Sequence, residues 1–160
     1  EEEYSIIKMH TINGYNILKQ AFKEEEILHA ALMHHEKYDG SGYPFGLVGN
    51  KISVSARIVA IADVYDAMTS ARVYRGPLCP FEVISIFESE GLQKYDPQFI
   101  LTFLENVVDT YIGNDVLLSD GRVGKIVFMN RDKLSRPLVQ IDSEIINLAD
   151  YQDLTIQEII

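Results

Sequence analysis

Cysteine is all but missing from this chain of 160 residues: Cys79 stands alone, and tryptophan does not occur. A single thiol cannot pair within the chain, so the composition fits a reducing compartment and excludes a disulfide scaffold. No apolar run approaches the roughly 18 to 20 residues that span a bilayer, and the opening Glu1-Glu2-Glu3 is the reverse of a basic signal-peptide start. Secretion and direct membrane insertion are therefore not expected, and a cytoplasmic location is. Basic residues are also scarce, 14 Lys plus Arg against 24 Asp plus Glu, for a formal charge of -10. Such a field repels polyanions, which excludes bulk nucleic-acid binding as an expected function. A small anion can still bind where metal ions or a few arginines reverse the potential locally. A starting methionine is missing too, and the chain is expected to be the later part of a longer polypeptide.

What is present is a globular composition, 47% hydrophobic and 24% charged. One domain of ordinary size with a small appendage is expected, burying roughly two thirds of its unfolded surface. Residues 4–21 suit an amphipathic helix with Gly14 as its weak point, and 24–36 a second helix opened by Glu24-Glu25-Glu26. Four glycines and a proline between Asp39 and Gly49 predict a loop. The alanine-rich segment Val54 to Thr69 is apolar nearly all round and predicts a buried helix. Helices are also expected over 80–90, entered through Pro80 and closed by Gly91, and over 97–109, with Asp96 as N-cap and Pro97 at the first position. Beyond Asp109 the pattern changes to short β-branched runs separated by turn residues such as Ser119-Asp120-Gly121 and Asp142-Ser143. The predicted fold class is mainly α, a helical bundle over 1–110, followed by a small antiparallel β subdomain of about four strands over 111–160.

Histidine is rare, four residues in all, yet two of them are adjacent at His34-His35, directly before Glu36 and the glycine-rich loop. Imidazole is the commonest ligand for transition metals, and adjacent helical residues point about 100° apart, so the pair suits one or two ions; the alternative is a partly exposed helix end. Asp63 and Asp66 lie in the most apolar segment, one helical turn apart, where an unpaired carboxylate costs several kcal/mol. Either a metal holds Asp63 and a substrate or arginine engages Asp66, or both form ion pairs with Arg57 or Arg72. Arg72 and Arg75 place two guanidinium groups just beyond, a fork suited to phosphate oxygens beside a metal and of little weight elsewhere. His10, alone in an amphipathic helix, reads as structural by itself, and so does His29.

These residues resemble a known family. His34-His35-Glu36-Lys37-Tyr38-Asp39-Gly40-Ser41-Gly42-Tyr43-Pro44, with Ala56-Arg57-Ile58, Ala62-Asp63-Val64-Tyr65-Asp66-Ala67 and Arg72-Val73-Tyr74-Arg75, resembles the HD-GYP domain, a branch of the HD superfamily that hydrolyses cyclic di-GMP. The likeness runs from about Lys8 to Phe103. It implies that His10, His34, His35 and Asp63 are metal ligands, although the family commonly has proline where this chain has Thr11. It implies further that Gly42, Tyr43 and Pro44 form a loop that touches substrate and docks partners, and that Asp66, Arg72 and Arg75 reach the nucleotide or its phosphates.

The reaction so implied is metal-dependent phosphodiester hydrolysis, catalysed around His34, His35 and Asp63, that yields the linear dinucleotide or GMP in bacterial second-messenger signalling. Two or three divalent ions, iron or manganese, are the implied cofactors. Implied partners are cyclic di-GMP itself, a diguanylate cyclase or another signalling domain, and a second copy in a homodimer. In the family a His-Asp pair followed by glycine and lysine, with one earlier ligand, lies some tens of residues before the position of His10, whereas this chain begins nine residues before it. The expectation is therefore about half of a bi- or trinuclear site and an isolated chain that is weakly active or inactive. A second reading is a catalytically incomplete module that binds cyclic di-GMP or docks through the Gly-Tyr-Pro loop.

Overall fold

Helical periodicity up to Asp109 and strand periodicity after it resolve into the expected class, helices followed by a C-terminal antiparallel sheet. The computed structural model describes residues 2–71 and 76–160, so Arg72 and Arg75 lie outside the described residues. The helices are α1 (Glu2–Leu18), α2 (Glu25–Met33), α3 (Val54–Thr69), α4 (Pro80–Ile86), the single turn α5 (Leu92–Lys94) and α6 (Pro97–Asp109). No helix among the described residues is long and apolar enough to cross a membrane.

The chain divides into two compact units. The first comprises residues up to Asp66 together with Gly91–Ile100. In it α1 packs on α2, and Leu28, Ile52, Ala56, Ala60, Ile61, Tyr95 and Ile100 are buried. α3 is less enclosed than its composition suggests. Its alanines at the i, i+4 positions 56 and 60 face inward, while Val54, Ile58 and Val59 remain 48%, 48% and 40% exposed. Asp96 serves as the expected cap of α6, its Oδ1 accepting from the Gln98 amide at 3.0 Å while Oδ2 pairs with Arg57 at 2.6 Å. A buried carboxylate bonded on both oxygens offsets much of its desolvation cost.

The second unit comprises Ala67–Glu90 and Leu101–Ile160. The helix expected to stop at Gly91 instead passes through a π-helical turn, Phe87–Gly91, into α5. Gly91 keeps helical angles, φ -66 and ψ -35, and so propagates the helix where a capping glycine would leave it. The sheet has five strands, β1 (Asp115–Leu118), β2 (Val123–Phe128), β3 (Leu138–Ile141), β4 (Glu144–Asn147) and β5 (Ile156–Ile159), in the order β4-β3-β2-β1-β5 and antiparallel throughout. β5 is the strand the apolar pattern missed: Gln157 and Glu158 interrupt it, and pairing with β1 defines it. Gly121 turns β1 into β2 at φ +86, as Ser119-Asp120-Gly121 predicts.

Candidate metal centre

His10 comes from the middle of α1. His34 is the C-cap of α2, with φ -65 and ψ -12, and His35 is the first residue beyond it. α2 therefore ends at Met33, earlier than the periodicity predicts, because the chain must turn there to send Glu36 inward. Each of His10, His34 and His35 offers a ring nitrogen, and the three nitrogens lie within 4.8 Å of one another. The ring centroids are 5.3 Å apart for His10 and His34, 4.9 Å for His10 and His35, and 4.2 Å for His34 and His35.

The second ring nitrogens explain the orientation. His10 Nδ1 lies 2.7 Å from the Ile7 carbonyl oxygen, and His34 Nδ1 lies 3.1 and 3.0 Å from those of Ala30 and Ala31. A carbonyl accepts only, so each Nδ1 carries the proton, and each Nε2 keeps a lone pair when the ring is neutral. Those two Nε2 atoms face each other at 3.3 Å. Two lone pairs at that distance repel, and a cation between them removes the conflict. Carbonyl oxygens on the outer nitrogens are also the arrangement that fixes the tautomer of a metal-ligating histidine.

His35 is partly buried, and its pKa is pushed down to about 4, first by burial and then by the charge of His34, with His10 and Lys37 acting in the same direction and Asp63 opposing. It is thus neutral, with a lone pair to donate, at physiological pH. Asp63 on α3 brings Oδ2 to 3.6 Å from His35 Nδ1. Its side chain is 40% exposed, so the cost of burial that drew attention to it in the sequence is smaller than its apolar neighbours suggest. The alternative partner, Arg57, is engaged by Asp96. Asp66 lies one turn further along α3 and is exposed.

The glycine-rich loop is built onto the histidines. Gly42 lies so close to the chain before it that a Cβ there would meet Lys37 N at 2.3 Å, His35 O at 2.4 Å and Glu36 Cα at 2.5 Å. Tyr43 donates its amide to the His35 carbonyl at 3.1 Å, and its ring lies 4.8 Å from the His35 ring, inclined by 30°. Burial, with Tyr4 and Asp63 adding to it, pushes the Tyr43 phenol up. Pro44 follows through a cis peptide bond. At the start of the loop Asp39 accepts from the amide and hydroxyl of Ser41, and these bonds hold its carboxyl below the usual range.

Three participants escaped the residue pattern. Glu36 is 1% exposed, and its two carboxylate oxygens accept from the amides of Phe45 at 2.7 Å and Leu47 at 2.9 Å, holding the loop from inside. Lys37 donates to the Tyr95 hydroxyl, and burial lowers its pKa to about 8 while Asp63 opposes the shift. Burial likewise pushes the Tyr95 phenol up. A carboxylate beside a glycine-rich turn is the signal that could have found Glu36; Tyr95 is 58 residues from Lys37 and leaves no local signal.

Known proteins bear on this geometry. A family model described as an HD domain matches residues 1–99. The chain is similar to a cyclic di-GMP phosphodiesterase of Thermotoga maritima, 41% identical over 115 residues that cover 69% of this chain and 31% of that protein. It is similar to a cyclic di-GMP phosphodiesterase of Pseudomonas aeruginosa, 34% identical over 142 residues, 88% of this chain and 34% of that protein. A 3'3'-cGAMP-specific phosphodiesterase of Vibrio cholerae is 43% identical over 90 residues, 56% of this chain and 21% of that protein. The chain thus spans about a third or less of the length of these relatives.

Proposed function

Because the chain belongs to the HD domain family and carries the His-His and Gly-Tyr-Pro parts of the HD-GYP pattern, we propose that it supplies the histidine-rich part of a metal-dependent phosphodiesterase centre that opens cyclic dinucleotides, cyclic di-GMP foremost. The observation that carries this reading is the approach of His10 Nε2 to His34 Nε2, 3.3 Å apart, with the Nδ1 of each ring on backbone carbonyl oxygens, an arrangement suited to a cation between the rings. His10, His34, His35 and Asp63 are the residues that would hold divalent ions, and imidazole with carboxylate suits iron or manganese. When bound, such ions supply Lewis acidity and positive charge opposite a phosphodiester.

The chain's own residues do the rest. Ile7, Ala30 and Ala31 carbonyls hold the outer protons of His10 and His34, so both inner nitrogens stay available. Asp63 brings its Oδ2 to 3.6 Å from His35 Nδ1, on the edge of the cluster. Tyr43, seated against the His35 ring, closes one side of the cluster. Addition of water across one P–O bond gives the linear dinucleotide, and a second addition gives GMP. Gly42, Tyr43, Pro44, Asp66, Arg72 and Arg75 are the substrate-binding residues of this reading. Three imidazoles and one carboxylate are few donors for two or three ions, so the 160-residue chain assayed by itself is expected to turn over slowly or not at all.

The test is chromatography of products after incubating the intact protein, loaded with iron or manganese, with cyclic di-GMP and with 3'3'-cGAMP. We expect cleavage of cyclic di-GMP and a loss of at least about a hundredfold in His35→Ala. A metal-loaded protein that leaves both compounds intact would overturn the proposal.

A further inference from the structure

One cation beside the histidine cluster lies where the family likeness begins and is given no role by it. Lys8 lies on α1, two residues before His10 and one turn after Tyr4. From Glu3 to His10 it alone is half-buried: Ile6 and Ile7 are 72% and 59% exposed, although an ammonium is far better hydrated than either. Two aromatic faces account for the inversion. Lys8 Nζ lies 4.5 Å from the ring centroid of Tyr4 and 5.2 Å from that of Tyr43, both within cation–π range. Tyr43 in turn lies against His35.

Among the described residues, the ion pairs at Arg57, Arg122, Lys125 and Arg131 do not include Lys8. Ring faces attract the charge of an ammonium but accept none of its three N–H bonds as an oxygen would. The group is therefore held in place without an oxygen acceptor among the described residues. In a chain of net charge -10, a cation at this position opposes the long-range repulsion that an incoming dianion meets.

We propose that Lys8 is a phosphate-binding residue of the histidine site, positioned by Tyr4 and Tyr43 to receive a non-bridging phosphate oxygen of the nucleotide ligand. The assignment rests on the phosphodiesterase reading for its location, and on the Lys8 geometry for its chemistry. An ammonium that grips phosphate equally before and during reaction contributes to substrate binding and leaves the chemical step nearly alone. Its removal should therefore appear in KM.

The experiment uses the intact, metal-loaded protein with Lys8→Gln and Lys8→Arg. It reads steady-state cleavage of cyclic di-GMP, equilibrium titration with GMP, and metal content. Lys8→Gln is expected to raise KM and the GMP Kd about tenfold or more while kcat moves by less than about threefold, the scale of one lost charge-assisted hydrogen bond. Metal content should not change, and Lys8→Arg should recover most of the loss. Values for Lys8→Gln within twofold of the wild type, or a defect confined to kcat or metal content, would overturn the proposal. If the wild type binds GMP but cleaves no cyclic dinucleotide, the phosphodiesterase reading falls and the GMP arm still judges Lys8. A wild type that binds no GMP overturns the Lys8 assignment.

Discussion

At Gly42 a single absent carbon lets the loop lie on the histidines. The three atoms that a Cβ would meet, between 2.3 and 2.5 Å away, are all backbone, and none can swing aside as a side-chain end could. Gly42→Ala must lift the loop off residues 35–37, stretching the Tyr43 amide away from the His35 carbonyl and the Tyr43 ring away from the imidazole. Overpacking of this kind costs about 1–3 kcal/mol, and the substitution should lower the denaturation midpoint accordingly while weakening manganese binding. An unfolding curve that overlays the wild type would show that the loop has slack. The sequence marks this stretch as rich in glycine, but nothing in it tells Gly42, required by space, from Gly40, which adopts φ +85. A close approach between segments separated by a turn is a tertiary fact and leaves no compositional trace. Lys8 is the same kind of case: its spacing from Tyr4 is visible, whereas Tyr43 reaches it only through the folded loop.

At the scale of elements, the loop between α2 and α3 is held by Glu36 as a strand is held by its neighbour, through backbone amides. Glu36→Gln keeps the volume but leaves one oxygen where there were two, and turns an N–H toward the amide of Phe45 or of Leu47. A buried donor left facing a donor costs about 1–3 kcal/mol. Hydrogen exchange should accelerate at the Phe45 and Leu47 amides and remain as in the wild type across α6, which does not depend on this carboxylate; unchanged protection at both loop amides would contradict the role given to Glu36. The same residue explains why the end of α2 was misjudged. Helical periodicity continues past Met33, but the chain leaves the helix there because Glu36 is drawn into the loop. α3 and α6 were legible to the residue, since the first is an unbroken alanine-rich apolar run and the second opens with Asp96 and Pro97. The π-helical turn and β5 were not. One inserts a residue without altering composition, and the other is defined by pairing with β1 across the sheet.

For the whole molecule, a charge of -10 accompanies a cluster of three imidazoles that Asp63 approaches to 3.6 Å at His35. The resemblance to the HD-GYP domain brings His10, His34, His35 and Asp63 into one list, where the residue pattern alone leaves His10 structural, and the fold brings ring nitrogens of the first three within 4.8 Å. What motif spacing could not supply is the polarity of each ring, which depends on the carbonyls at the end of α2 and in α1. With those carbonyls engaged, the inner nitrogens conflict unless a cation lies between them, so the folded chain should bind a divalent ion that the unfolded chain holds weakly. Linkage then requires stabilisation that grows with ion concentration, about 2.7 kcal/mol at a hundredfold excess over Kd. For a chain of this size that corresponds to several degrees, at roughly 2–4 °C per kcal/mol. Manganese titrated into the metal-free protein should raise Tm steadily. His34→Ala should abolish the rise, because it removes one of the two opposed nitrogens and with it the reason for the cation. If Tm in the wild type stays fixed as manganese is added, the opposed nitrogens are relieved by a proton, and the cluster is not a metal centre in this chain by itself.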